Sequence, residues 1–320
     1  MNEKKSIAVV GATGAQGGSL ARAILADQAG AFAARALTRN PGSEKARPLA
    51  ALGAQVVQAD LDDEESLARA LQGAYGAFFV TNFWEHFSPE REKRQAHNMA
   101  QAAVRAGVRH VVWSTLEDTR ERVPLDDPRM PTLMGSYKVP HFDGKGESDA
   151  VFRELGVPTT FLRTTFYWDN LIHFGMHPRR GADGVLELML PMGAKRLAGI
   201  AAEDIGRCAY GVFKRGAALI GQTVGIAGGH LTGDEMAAKL GAALGETVRY
   251  RDLSPEAYRA LGFPGAEDLG NMFQYYQEFE AEFNAARPLE GTRQLNPELQ
   301  SFDAWLARHA MRIPIERLAQ

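Results

Sequence analysis

Residues Ser6-Ile7-Ala8-Val9-Val10 run directly into Gly11-Ala12-Thr13-Gly14-Ala15-Gln16-Gly17. An apolar run of strand length, glycines spaced G-x-x-G-x-x-G and a helical pattern behind them define a buried strand that feeds a helix through a bare turn. Gly11 lets the chain turn sharply, Gly14 lets backbone approach a ligand, and Gly17 lets the new helix lie close to the sheet. The first amides of that helix have no intrahelical acceptor, and the helix dipole adds partial positive charge. The turn therefore suits an anion such as a pyrophosphate.

The helix carries Leu20, Ala23, Ile24 and Ala26-Asp27 and fades near Gln28-Ala29-Gly30, where a glycine can close it. A second strand follows from Ala33 to Thr38. In NAD-binding folds a carboxylate near the end of this strand holds the adenosine ribose. Here no Asp or Glu lies between Asp27 and Glu44, and the strand ends Leu37-Thr38-Arg39-Asn40-Pro41. An arginine takes a 2′-phosphate through charge-assisted hydrogen bonds, whereas a carboxylate repels it. Arg39 thus points to NADP(H) as the cofactor.

Strand and helix patterns then alternate: strands at 55–58, 75–81, 110–113 and 159–163, helices at 64–72, 90–106 and 141–155. Asp62 or Asp63 is the N-cap candidate of the first of these helices, Ser88-Pro89 starts the second, and a proline-rich loop spans 123–140. The alternation specifies an α/β protein, a Rossmann doubly wound parallel sheet with a second, smaller α/β lobe. The expected division is a cofactor-binding Rossmann domain over 1–163 and a smaller substrate or partner lobe over 164–320, with part of 199–228 returning to the sheet. Ligands of such sheets sit beyond the carboxyl ends of the strands, which places Asp60, Thr81-Asn82-Phe83 and Ser114-Thr115 around the cofactor. In the second half, Gly181 to Met192 reads as a hairpin or small sheet. Thr232 is a helix N-cap, and Gly225 to Gly229 is a strand-end turn.

The 36 basic and 39 acidic residues nearly cancel, giving a net charge of -3 and no nucleic-acid footprint. Cys208 is the only cysteine, so no intrachain disulfide or cysteine-based metal site can form. It sits in an apolar helical pattern, where burial is expected. No signal peptide or membrane-length apolar run is visible, and a reducing, cytoplasmic compartment is expected. His173 and His177 lie four apart as a metal pair on a helix would, but Pro178 follows and no third ligand is evident; no metal is expected.

Five segments go beyond a generic Rossmann pattern: GATGAQGG from Gly11, TRNP from Thr38, TNFWE from Thr81, HFDGKGE from His141 and LGFPGAEDLGNMFQYY from Leu261. Together they resemble the NmrA-like family of atypical short-chain dehydrogenases, and within it the NADPH-sensor subgroup, over essentially the whole chain. The resemblance implies cofactor contacts from Gly11, Ala12, Thr13, Gly14, Ala15, Gln16 and Gly17, and a 2′-phosphate region from Arg39 through Asn40 to Ser43. It implies Asp60 and Leu61 beside the adenine, and then Thr81, Asn82 and Phe83. Arg94 and Lys145 follow, the latter near the nicotinamide ribose, with Tyr167, Trp168, Asp169 and Asn170. Two departures matter: Gly42-Ser43 precede Lys45 where related chains carry more basic residues, loosening the phosphate grip, and position 94 is Arg where Lys is expected.

Short-chain dehydrogenases reduce carbonyls with a Tyr-x-x-x-Lys pair and a Ser or Thr that orients the substrate oxygen. This chain keeps Lys145 and Ser114 or Thr115, but the tyrosine slot is His141. Positions four apart share a helix face, so His141 and Lys145 can both face the cofactor. Histidine donates protons near neutral pH, although a neighbouring lysine charge disfavours the imidazolium. Tyr137 can substitute only if the helix starts early enough. Gly144 and Gly146 each cost a helix roughly 1 kcal/mol relative to alanine, a local penalty that implies close approach by backbone or ligand. The aromatics Phe166, Tyr167, Trp168 and Phe174 fit either an apolar pocket or the core of the smaller lobe. Two functions follow, an NADP(H) sensor as the expected one and a reductase as the alternative. A sensor would bind NADP(H) and change its geometry or a protein partner with cofactor state; the missing tyrosine favours it. A reductase would act on a small carbonyl, quinone or enone, using Lys145, His141 and Ser114.

Overall fold

Apolar residues on a strand alternate sides, and the first strand shows the consequence. Ile7 and Val9 enter one core while Ala8 and the following Val10 enter another, so both faces of the sheet are covered. The computed structural model describes residues 3–315. Its first half runs β1 (Lys5–Val9), α1 (Ala15–Ala26), β2 (Phe32–Thr38), α2 (Arg47–Ala51), β3 (Gln55–Gln58), α3 (Glu64–Leu71), β4 (Gly76–Phe79), α4 (Pro89–Arg105), β5 (His110–Thr115), α5 (Pro140–Glu154) and β6 (Thr159–Arg163). The second half runs β7 (Phe166–Tyr167), α6 (Asn170–His173), β8 (Arg179–Arg180), β9 (Leu186–Leu190), β10 (Leu197–Ile200), α7 (Ala202–Arg215), β11 (Thr223–Gly225), β12 (Gly229–Leu231), α8 (Gly233–Leu244) and β13 (Val248–Asp252). Five helices follow: α9 (Pro255–Arg259), α10 (Ala266–Glu278), α11 (Glu280–Ala285), α12 (Leu289–Leu295) and α13 (Phe302–His309).

The main sheet has seven strands in the order β11-β6-β5-β4-β1-β2-β3, all paired in parallel. The order reverses between β1 and β4, where the crossovers leave to opposite faces and open a crevice at the strand ends. Helices α1 and α7 share one face with Phe78, Val112 and Leu162, and α3, α4 and α5 cover the other with Ala77, Val111 and Trp113. The remaining strands form two three-stranded sheets, β12-β10-β7 and β13-β9-β8, that share a core with α8, α10 and α13.

Local signals fix most boundaries. Asp63 caps α3, Ser88 caps α4 ahead of Pro89, and Thr232 and Glu235 close a reciprocal capping box on α8. Helix α1 ends at Ala26, short of the glycine expected to close it. Asp27 leaves helical geometry there, and its carboxylate accepts a hydrogen bond from Tyr210 of α7 at 2.8 Å. Helix α5 starts at Pro140, so Tyr137 lies outside it; the Tyr137 hydroxyl donates to Glu90 at 3.1 Å. Helix α6 stops at His173, so His173 and His177 do not share a helix. Helix α2 and the helices beyond Asp252 were not legible as apolar periodicity, because α2 is one turn long and α10 is buried nearly all round.

Helices α1 and α7 cross where Gly206 has no side chain. A Cβ there would lie 2.6 Å from Ser19 Cβ and 2.7 Å from the Gln16 carbonyl, and nearer still to the Leu20 amide. Gly206→Ala is expected to lower stability by about 1–3 kcal/mol through overpacking, read as a fall in urea midpoint at unchanged slope. On the opposite face, Asp149 anchors α5 to β5, accepting from Thr115 Oγ1 at 2.7 Å and Trp113 Nε1 at 2.9 Å. Burial pushes its carboxyl up to about 6. A folded carboxyl above its unfolded value binds protons more tightly when folded. Its contribution is therefore complete below the unfolded value near 4 and is lost as pH rises through about 6. Stability measured from pH 4 to 7 should fall for the wild type relative to Asp149→Asn, by an amount of order 2–3 kcal/mol.

Candidate functional site

The turn after β1 is built as its glycines require. Gly11 has φ +64°, and a Cβ on Gly17 would lie 2.6 Å from the Gly11 carbonyl oxygen and nearer still to that of Val10. Helix α1 has Gly14 at its N-cap, with no side-chain cap and no acidic residue in its first turn. Its N-terminus thus keeps its positive character for a ligand anion. It opens on a cavity of about 740 Å³ at the carboxyl ends of β1, β2 and β4.

Most of the expected cofactor residues line this cavity: Gly11, Thr13 to Gly17, Arg39, Asn40, Ser43, Asp60, Leu61, Thr81 to Phe83, Lys145, Tyr167, Asp169 and Asn170, together with His141. Four expected residues do not. Ala12 turns inward, 1% exposed. Arg94 is exposed on α4, because a helix rotates about 100° per residue and presents Gln95 to the cavity instead. Trp168 follows Tyr167 in extended chain and points to the opposite side, into the second lobe against Phe302 and Trp305. Ser114 is buried and donates to Gln16 Oε1 at 2.7 Å, so its hydroxyl is committed to the glycine turn. Gln16 in turn donates to the Tyr167 hydroxyl at 2.7 Å, and burial pushes that phenol up to about 12. The four aromatics therefore divide: Phe166, Tyr167 and Phe174 line the cavity and Trp168 does not.

At the end near β2, Arg39 pairs with Glu85 at 2.6 Å, and both side chains are substantially exposed. Lys45 also lines this end; the sequence places it just beyond Ser43. Asp62, held below the usual carboxylate range by its hydrogen bond from Arg91, closes the side next to Asp60 and Leu61.

Lys145 occupies the centre. Its ammonium donates to Thr81 O at 3.1 Å, Thr81 Oγ1 at 2.5 Å and Glu92 Oε1 at 2.9 Å, so all three protons have partners in the protein. Glu92 is 1% exposed, and its Oε2 has no partner among the described residues. The flanking glycines answer to backbone, not ligand: Cβ atoms on Gly144 and Gly146 would lie 3.3 Å from Pro89 Cα and 2.8 Å from Asp118 Cα. One turn earlier, His141 is 6% exposed and lines the cavity. Its Nδ1 is hydrogen bonded to Asp268 of α10, whose second oxygen accepts from the His141 amide at 3.1 Å. A carboxylate, rather than a lysine, is the charge in contact with the ring. Sequence reading missed Asp268, because 127 residues separate it from His141.

A family model described as the NmrA-like family matches residues 3–306. The chain belongs to the NmrA-like family. An NmrA-like family domain-containing oxidoreductase, FrzB of a Cladobotryum species, is 30% identical over 307 residues, covering 89% of this chain and 87% of that protein. In fold, the chain is similar to NmrA, described as a negative transcriptional regulator, with TM-score 0.77 and 24% identity over 96% of this chain and 95% of that one. It is likewise similar to the Citrobacter sp. triphenylmethane reductase complexed with NADP(H), with TM-score 0.73 and 21% identity over 96% and 99% of the two chains. For an NmrA-like chain the glycine turn, the uncapped α1 terminus and Arg39 fit a dinucleotide phosphate group by group. Among the described residues no cluster of three or more His, Cys, Asp or Glu could hold a metal, and no helix is long and apolar enough to cross a membrane. Cys208 is buried, and desolvation pushes its thiol up, away from reactivity.

Because Lys145 and Glu92 neutralise each other in a buried site, removing one strands the other. Lys145→Met is expected to cost about 3–5 kcal/mol in urea unfolding, and Glu92→Gln in the same chain to recover most of it.

Proposed function

We propose that this chain is an NADP(H)-dependent oxidoreductase that reduces a carbonyl-type acceptor in the apolar end of the cavity. One observation carries the reading. A single cavity runs from the glycine turn past Thr81 and Lys145 to His141, where Leu116, Phe166, Leu269, Met272 and Tyr276 form a largely apolar wall. The bound cofactor would supply a hydride. The chain's own residues hold its phosphates at Gly11 to Gly17, present Arg39 to a 2′-phosphate, and exclude water around the reacting atoms. The names of relatives such as FrzB, and the NADP(H) complex of the triphenylmethane reductase, support the same assignment.

A second reading, a sensor whose protein partner responds to cofactor state, is favoured by Lys145. With its protons taken by Thr81 and Glu92, it holds a ribose only by giving up an internal partner. Cofactor arrival would then be coupled to a rearrangement around Glu92.

Titration calorimetry with NADPH and NADH tests the cofactor assignment. Arg39→Ala should weaken NADPH about tenfold and leave NADH nearly unchanged. Equal losses for both cofactors would remove the 2′-phosphate role. Glu85→Gln should tighten NADPH a few-fold, since Arg39 is released and a carboxylate facing the phosphate is neutralised. NADPH consumption across aldehydes, enones and quinones separates the two functions: saturable turnover establishes the reductase, and cofactor-saturated protein without turnover favours the sensor.

A further inference from the structure

His141 lies at the apolar end of the cavity, and its setting is specific. Asp268 reaches it from α10 of the second lobe and binds both Nδ1 and the backbone amide of the same residue. The ring is therefore fixed in position and in tautomer, with Nδ1–H on the carboxylate and Nε2 left for the cavity. Nε2 has no partner among the described residues, and it is not among the sealed, unsatisfied polar atoms. Trp84 lines the cavity and lies against the ring, 4.8 Å between centroids, and it also meets Phe83, Phe87 and Phe174 in T-shaped contacts at 5.3, 5.8 and 6.0 Å. Phe174 is half exposed at the mouth, and Gly265 lets its main chain pack against the indole edge, where a Cβ would lie 2.8 Å from Trp84 Cζ3.

A flat indole beside a histidine that lines an apolar chamber suits a flat, uncharged molecule carrying a carbonyl oxygen. We propose that His141 and Asp268 form the proton-donating pair of a substrate subsite that takes a planar conjugated carbonyl compound stacked on Trp84. The proposal rests on the reductase reading and names its substrate class. When the acceptor carbon takes the hydride, the C=O π pair moves onto oxygen. His141, as imidazolium, gives that oxygen its Nε2 proton. The neutral ring keeps Nδ1–H on Asp268 and regains a proton from water at the cavity mouth. The sum is one acceptor, one reduced cofactor and one proton giving one alcohol and one oxidised cofactor. His141 is the catalytic residue, and Asp268 is a positioning residue.

The full chain is first shown by calorimetry to bind NADPH; failure there would sink the cofactor reading itself. Protein saturated with NADP⁺ is then titrated with chalcone and with 1,4-naphthoquinone while tryptophan emission is read, with propanal as the control. The planar probes should quench saturably, propanal should not, and Trp84→Leu should abolish the quench. A quench that survives that substitution, or is absent in wild type, overturns the subsite. With NADPH and the same probes, Asp268→Asn should lower kcat about a hundredfold or more at unchanged KM, because the amide can still accept from the His141 backbone but carries no charge to stabilise the imidazolium that donates the proton. Asp268→Glu should restore part of the rate. His141→Gln, which keeps the backbone contact to Asp268, carries the same comparison if Asp268→Asn does not fold. Wild-type kcat in the folded variants, or NADPH and probe bound together without turnover, overturns the proton-donating pair while leaving the cofactor reading intact.

Discussion

Arg287 is fully buried, and the cleft depends on what it holds. Its guanidinium grips both oxygens of Glu117 at 2.8 and 2.9 Å, donates from Nε to the Thr164 carbonyl at 2.9 Å, and lies over Phe283 at 3.5 Å. Glu117 follows β5 and Thr164 follows β6, so one side chain between α11 and α12 ties the second lobe to the ends of two central strands. Burial alone would raise the Glu117 carboxyl, but Arg287 and Arg163 more than offset it and hold it below its ordinary value. Two charges taken out of water contribute little net stability, whereas losing either leaves the other uncompensated. The pair therefore acts as a fixed joint. With it in place, α10 is docked over α5 and Asp268 reaches His141.

The same logic recurs at the centre of the cavity. Lys145 looks, by its spacing from His141, like the lysine of a dehydrogenase pair, yet its ammonium is saturated by Thr81 and Glu92. Glycines on either side let α4 and the segment at Asp118 approach α5 closely enough for this to happen. The local helix penalty at Gly144 and Gly146 is offset by backbone packing. The position where a dehydrogenase pair would carry its tyrosine holds a histidine whose partner comes from the other lobe.

Much of the fold was legible because it rests on short-range physics. The strand, glycine turn and helix at residues 6–26, the caps at Asp63, Ser88 and Thr232, and the parallel sheet all follow from spacing, φ preferences and unpaired amides. The expected residues whose side chains do not line the cavity have equally definite causes. Ala12, Arg94 and Trp168 were grouped with their neighbours by motif, but adjacent residues on a turn, a helix or an extended segment point in different directions. Ser114 sits at the expected strand end, yet Gln16 claims its hydroxyl across 98 residues.

The sequence by itself determined the Rossmann sheet, the glycine turn that follows β1, the arginine at the end of β2 and the histidine one helical turn before Lys145. Each of these is encoded within one element and its immediate flank. Only the tertiary structure decided which charges those residues meet: Glu85 on Arg39, Glu92 on Lys145 and Asp268 on His141. These pairings span 46, 53 and 127 residues, and no local propensity records them. The last arises where the second lobe packs over the first, and the other two form within the Rossmann half, where strand ends and helices far apart in the chain bring polar groups within reach of each other.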